Sequence, residues 1–421
     1  KDSFLAVQSI LYNLIIRRYC SYSQRPTTLN RLPEINHCDP MASRNSRSER
    51  ESSSHDDTGS QFLAIAAIGG AVLGASIHAL WKQAVYMHRM KKRESRKPLS
   101  DGGQEVLIAG IELGGTTSKA AVAWMSNPTK LVDSITVPTK EPAFTFGQLI
   151  QFIKEQQTKR SSPVGAVGIA AFGPLNLDKK SERFGCVTSS PKVLWQNFNL
   201  IAAVRKEFGD HVCIRLDTDV NAPALAELAY GSHHGAVETS PADCLAYITV
   251  GTGVGVGIVV ENKPIHGLMH PEGGHIFVQR KAGDNYIPKC LYHKENVEIE
   301  SMVSAGAIAE RCGISPEKLA DLTDDDPVWD FVAYYLAQLC IAITYLTSPH
   351  AIVLSGGVMK RQSLLPKIRA HFQELNADYV APPKIVTRLD QYIVGPSFGY
   401  EIGVIGALHL GCQAYKEKYG L

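Results

Sequence analysis

The run LDTDVNAPALAE places two carboxylates, Asp217 and Asp219, at the end of an apolar strand and just ahead of a helical segment. A carboxylate there can cap the helix. Facing a cleft, it can instead accept the proton of a hydroxyl as a phosphoryl group is transferred to that oxygen; a sugar hydroxyl, with its very high pKa, benefits from such a base. Spacing alone does not separate Asp217 from Asp219. Glycine turns offer the complementary chemistry. In GIELGGTTSK, Gly114 and Gly115 permit close backbone approach to a phosphate and Thr116 and Thr117 add hydroxyl donors. Glu112, just ahead of that turn, is placed to hold Mg2+ through water. In VGTGVGVG, Gly251, Thr252 and Gly253 form a second such turn, and SGGV adds Gly356 and Gly357. Taken singly, each turn is equally a hairpin corner or a crowded packing site, because turns need glycine in any case.

The stretch HPEGGHIFVQRKAGDNYIPKCLYHKENVEIE, His270 to Glu300, holds His270, His275 and His293 and a Cys-x-x-His pair at Cys290. It begins like a zinc site, yet no second Cys-x-x-Cys or Cys-x-x-His pair closes it. A metal site, a substrate pocket and an ordinary loop all remain open on the residues alone.

The elements that must position these groups alternate between strand and helix. EVLIAGIEL and GGTTSKAAVAWM form one strand, glycine turn, strand unit, and CLAYITVGTGVGVGIVVENKPI forms another. VGAVGIAAFG, HVCIRLDTDV and AIVLSGGV are further buried strands. FGQLIQFIKEQQ, NAPALAELAYG, VWDFVAYYLAQLCIAITYLTSP and FGYEIGVIGALHLGCQAYK carry helical patterns. Two hairpins of one kind imply an α/β, two-lobed plan with a duplicated core, each lobe bringing a glycine turn to a shared cleft.

Composition sets the outer bounds. A chain of 421 residues with 44% hydrophobic and 20% charged residues can bury more than one core. A net charge of +2 argues against a general nucleic-acid binder. Nine scattered cysteines without regular spacing fit a reducing compartment. The polar, Ser-rich residues 41–60 read as disordered, and residues 1–61 are expected to lie outside any fold. Residues 62–81, FLAIAAIGGAVLGASIHALW, carry no formal charge and match a membrane-spanning helix; a buried core helix is the alternative. Residues 82–104 form a basic linker, in which Lys82, Arg89, Lys91, Lys92, Arg93, Arg96 and Lys97 stand against Glu94 before Asp101 is reached. That bias puts the bulk of the chain on the cytosolic side. A Gly/Ala-rich span with a basic C-terminal flank also resembles the signal anchors of organelle outer membranes.

GIELGGTTSK, GIAAFGPLNL, CVTSSPKVLWQNFNL, DTDVNAPALAELAYG, ITVGTGVGVGIV, HPEGGHIFVQR, SAGAIA and IVLSGGV follow one another in the order of the ROK family of sugar kinases. The sequence most resembles the fructokinase branch of that family, through Ile-Glu ahead of Gly-Gly-Thr and through GPLNL, TSSPK and WQN; the likeness spans about residues 106–412. The resemblance implies an actin-like ATPase (ribonuclease H-like) fold, with an N-terminal lobe over 105–218, completed by the C-terminal helix over 407–421, and a C-terminal lobe over 219–406. It implies transfer of the ATP γ-phosphate, with Mg2+, to the 6-hydroxyl of a hexose, D-fructose being converted to D-fructose 6-phosphate. Asp219 takes the catalytic base position. Gly114, Gly115, Thr116, Thr117, Gly251, Thr252 and Gly253 fall on the phosphate loops, Gly356 and Gly357 on the adenosine side, and Glu112 at the Mg2+ position. Thr218, Glu272, His275, Glu300, Lys192 and Asn197 fall on sugar-side positions. The family usually reads Gly-Gly-Thr-Lys, and Thr117 replaces that lysine. Many members bind a structural Zn2+ through His, Cys, His and Cys. His275, Cys290 and His293 match the first three, and Glu298 falls near the absent fourth. The expected partners are a hexose and ATP, the membrane through residues 62–81, no nucleic acid, and a second copy of the chain as a candidate homodimer. Other readings are a kinase for glucose, mannose or an N-acetylated sugar, a non-catalytic membrane-tethered sugar sensor, or a repressor of the same family.

Overall fold

The computed structural model describes residues 105–232, 242–290, 292–294 and 297–421. The expected disordered segment 1–61, membrane helix 62–81 and basic linker 82–104 lie outside the described residues.

Two five-stranded sheets repeat one topology. The first contains β1 (Leu107–Leu113), β2 (Thr117–Trp124), β3 (Asp133–Pro138), β4 (Val164–Ala171) and β5 (Cys213–Thr218), in the order β3-β2-β1-β4-β5. The second contains β6 (Leu245–Val250), β7 (Val254–Val260), β8 (Lys263–Pro264), β9 (Ala351–Ser355) and β10 (Ile393–Val394), in the order β10-β9-β6-β7-β8. Laid β1 on β6, the two orders coincide strand for strand. In each sheet a tight antiparallel hairpin is followed by a strand parallel to the hairpin's first member. The central strands LIAGIEL and VGAVGIAA are apolar along nearly their whole length because both faces of the sheet are covered. The edge strand β3 alternates exposure instead.

The helices are α1 (Pro142–Arg160), α2 (Leu200–Phe208), α3 (Asn221–Tyr230), α4 (Ile299–Val303), α5 (Ala305–Cys312), α6 (Val328–Thr347), α7 (Leu364–Asn376) and α8 (Ile402–Tyr419), with two short helical turns ahead of β10. Local chemistry sets several of their ends. Asn199 accepts from the Ala202 amide at the start of α2 at 2.9 Å, and Ser304 does the same for Ala307 at the start of α5. Helix α8 packs on β1, β4 and β5 and against α3, while α3 packs on β6 and β7. The two helices therefore fill the space between the sheets, in a core that includes Val220, Leu225, Tyr247, Val353, Ile405 and Leu410. The outer face of the first sheet is covered through Phe146, Ile153, Trp195 and Phe208, that of the second through Trp329, Leu336 and Phe372. Burying a side chain of this size contributes about 1.5–3 kcal/mol. Among the described residues only α6 is long and apolar enough to cross a membrane, but Leu336, Leu339 and Cys340 on it are wholly buried in the second core.

Candidate active site

The two hairpin turns meet. Thr116 Oγ1, between β1 and β2, lies 2.7 Å from Thr252 Oγ1, between β6 and β7. One hydroxyl donates to the other across the cleft between the sheets. The second turn is braced from below: the Ala305 amide donates to the Gly251 carbonyl at 2.8 Å, and the Val254 amide donates to Glu300 Oε2 at 2.9 Å. Glu300 thus sits under the phosphate turn, with at least one oxygen committed to it.

A cavity of about 890 Å3 opens beside these turns. Glu112, Thr116, Thr117, Gly251, Thr252, Gly356 and Gly357 line it, so most of the turn residues singled out in the sequence converge on one wall; Gly114, Gly115 and Gly253 are not on its lining. Its size suits a nucleotide-sized ligand. Tyr247 and Ser355, which local patterns did not mark, also line it, and burial holds the Tyr247 hydroxyl protonated well past its ordinary range.

Glu112, next to last in β1, sets its carboxylate against the first turn of α8. A Cβ at Gly403 would stand 2.1 Å from Glu112 Oε1, so only glycine admits the carboxylate there. Glu112 Oε2 is buried and has no hydrogen-bond partner. Burial raises this carboxyl to about 7, against the pull of Lys119, its cross-strand neighbour.

Asp217 and Asp219 differ in what holds them. Asp217 Oδ1 accepts from the Thr218 amide at 2.8 Å and from Asn221 Nδ2 at 2.8 Å, and faces His266 Nε2 at 3.1 Å. Its bond to His266 raises that imidazole's pKa. Asp217 is therefore a fully engaged strut that ties the end of β5 to the segment after β8. Among the described residues no other side chain bonds to Asp219; its amide donates to the Ala171 carbonyl at 3.0 Å, which fixes the backbone. It is half-buried, between the buried Thr218 and Val220. That burial, and next the charge of Glu112, push its carboxyl up to about 7. Thr218 is buried, and its Oγ1 accepts from the Asn221 amide at 3.0 Å.

On the far side, Glu272 precedes a tight turn, Gly273–His275, that lies flat on β7; a Cβ at Gly274 would stand 2.0 Å from the Val254 carbonyl. Its pKa is raised, first by burial, and Glu300 adds to the rise. His270, named in the sequence without a role of its own, supports it: the Leu175 amide donates to His270 Nε2 at 3.0 Å, which leaves Nδ1 as the ring's donor, 3.4 Å from Glu272 Oε1. Glu112, Asp219, Glu272 and Glu300 thereby form a chain of acids, neighbour repelling neighbour, from the nucleotide-sized cavity to the HPEGGH loop. Lys192 lies over the Phe172 ring at 5.6 Å, and burial lowers its pKa. Asn197 is exposed in a left-handed turn with φ 66°, its side-chain oxygen taken by Arg183.

The half-finished metal pattern closes in space. His275 Nδ1 and His293 Nδ1 face the same oxygen, Glu298 Oε2, at 3.0 and 2.5 Å. Donor atoms of these three residues lie within 4.8 Å of one another, and Cys290 Sγ is 3.7 Å from His293 Nδ1.

Residues 108–414 match the model of the ROK family. The fructokinase of Pediococcus pentosaceus is 32% identical over 74% of this chain and 100% of its own length. The fructokinase of Zymomonas mobilis is 34% identical over 72% of this chain and 96% of its own length. Among solved structures, the ROK hexokinase of Thermus thermophilus superposes with a TM-score of 0.55 at 21% identity, covering 74% of this chain and 100% of that one. That likeness identifies the repeated sheets as the actin-like ATPase fold. By its family model and by relatives matched along nearly their whole length, the chain belongs to the ROK family.

Proposed function

We propose that this ROK-family sugar kinase transfers the ATP γ-phosphate to the 6-hydroxyl of a hexose, with D-fructose as the preferred acceptor. One observation carries the reading. Asp219, just past the end of β5, has no bond from another side chain among the described residues, lies near enough to the cavity-lining Glu112 to feel its charge, and has its carboxyl lifted to about 7, where a base is best matched to a neutral medium. In this mechanism the turns hold the phosphate chain by backbone N–H groups and the Thr116 and Thr252 hydroxyls. Glu272, oriented by His270, receives sugar hydroxyls. Asp219 accepts the proton of the attacking hydroxyl as the new O–P bond forms and the bond to the ADP oxygen breaks. The orphaned Glu112 Oε2 suits a hydrated cation, so Glu112 is the residue to hold Mg2+. When bound, that ion would neutralise charge building on the phosphate oxygens. Fructokinase relatives at 32 and 34% identity support the choice of fructose. Initial rates across fructose, glucose, mannose and N-acetylmannosamine test it. Fructose should give the highest kcat/KM by at least about tenfold; a higher value for glucose would replace the acceptor, and no transfer to any hexose would favour a sugar sensor.

The reading extends to a structural metal. Two imidazoles, one thiol and one carboxylate supply the four donors that tetrahedral Zn2+ takes, and both rings already aim Nδ1 at Glu298. His275, Cys290, His293 and Glu298 would hold it, steadying the loop that carries Glu272. Purified protein is expected to contain about one equivalent of Zn2+ per chain. Removing it with a chelator and then restoring Mg2+ should lower the Tm and raise KM for the hexose while sparing KM for ATP. Metal analysis near zero on gently purified protein would refute the site.

A further inference from the structure

The first glycine turn has no lysine at its corner, where Thr117 stands, but the strand it opens carries one a pleat further on. Side chains on a strand alternate, so Lys119 shares the face of Thr117, about 7 Å along β2. Cross-strand pairing sets Lys119 directly opposite Glu112, on the side of the sheet that faces the cleft. Lys119 lines the 890 Å3 cavity together with Thr116, Thr117 and Thr252. Its Nζ donates to the Tyr400 carbonyl at 2.8 Å, a single neutral acceptor. Among the described residues two other cations line this cavity; Arg361 is committed elsewhere, and neither of them sits on the strand that the first glycine turn opens. Arg361 pairs with Asp324, donates to the Leu322 carbonyl at 2.7 Å and stacks over Trp329 at 4.3 Å. Lys360 lies over the Tyr400 ring at 4.5 Å.

We propose that Lys119 is the cation that binds the terminal phosphates of the nucleotide in this chain. The assignment rests on the kinase reading above. A phosphate oxygen, itself anionic, offers the ammonium a full opposite charge in place of the neutral carbonyl it would leave. Its flexible four-carbon stem lets it make that exchange without moving the strand. Placed between Glu112 and the phosphates, it also offsets repulsion between them.

Calorimetry on the full chain with Mg2+ and ATP, ADP or adenosine tests this, using wild type, Lys119→Met, Lys119→Arg and the double variant Lys119→Met with Thr117→Lys. Lys119→Met should weaken ATP and ADP by about tenfold or more and leave adenosine unchanged. KM for ATP should rise while KM for the hexose holds. Lys119→Arg should keep most of the affinity, and Thr117→Lys should restore part of what Lys119→Met loses. Unchanged ATP binding, or equal losses for ATP and adenosine, would overturn the role of Lys119 and leave it a structural partner of Glu112. Wild-type protein that binds no ATP at all would instead overturn the kinase reading, and this assignment with it.

Discussion

Asp219→Asn is expected to lower kcat by roughly a hundred- to ten-thousand-fold, the usual worth of a general base, while raising the Tm of the unliganded protein above neutral pH. The two effects share one cause. The Asp219 carboxyl is lifted to about 7 by burial and by Glu112, so the site holds a charge that the fold alone disfavours. As a base, Asp219 must be ionised, so wild-type kcat/KM should fall about tenfold per pH unit below 7. The stability effect has the opposite sense. An unfolded Asp titrates near about 3.9. Between that pH and 7, the folded chain keeps a proton that the unfolded chain has shed. Stability therefore declines as pH rises through this window, and the loss is complete above 7. Asparagine carries no such charge, so the variant's Tm advantage, a few degrees at pH 8, should shrink as pH falls toward 4. Asp217→Asn is the control. It disturbs a carboxylate that takes three hydrogen bonds, so it should lower the Tm and reduce turnover far less. If Asp217→Asn lost the activity and Asp219→Asn kept most of it, the base would be Asp217.

That contrast marks where the sequence stops being legible. The strand, the helix after it and the two acids between them were all readable from local pattern. Which acid is free was not, because His266 reaches Asp217 from 49 residues away and local spacing holds no record of it. The role of His270 is hidden for the same reason: its partner is the Leu175 amide, 95 residues off, on an irregular segment. The repeated hairpins are visible because each lies within some twenty residues and sets two apolar runs around a glycine turn. The short edges β8 and β10, two residues each, carry too little pattern to be seen, yet they complete the match between the sheets. Glu298 could be reached only through the family's spacing, and its side chain points where that spacing has no ligand of the usual kind. The grouping of His275, His293 and Glu298 is thus clearer in space than in sequence.

Asp284→Ala is expected to cost about 3–5 kcal/mol, the price of leaving a buried charge unpaired, and to loosen the His275, His293 and Glu298 group from a distance. Asp284 and Arg311 form an ion pair at 3.2 Å, with side chains 2% and 9% exposed. Aromatic rings wall the guanidinium, those of Tyr286 and Phe331 at 4.7 and 5.5 Å, so water cannot readily replace the lost carboxylate. The same carboxylate takes the Tyr335 hydroxyl at 2.6 Å and the Tyr286 amide at 3.1 Å. Both would become unsatisfied donors. A chain of this size should lose on the order of 10 °C in Tm. Asp284 sits in the loop that leads to Cys290, so, under the zinc reading proposed above, its removal should also lower the Zn2+ content and raise KM for the hexose, without changing nucleotide affinity. The double variant Asp284→Leu with Arg311→Met separates charge from shape. Removing both charges removes the uncompensated one, so the pair should recover much of the loss of the single variant. If the double variant is no more stable than Asp284→Ala, the pair holds the loop by shape and hydrogen bonding, and the buried charge is not what makes the single change costly.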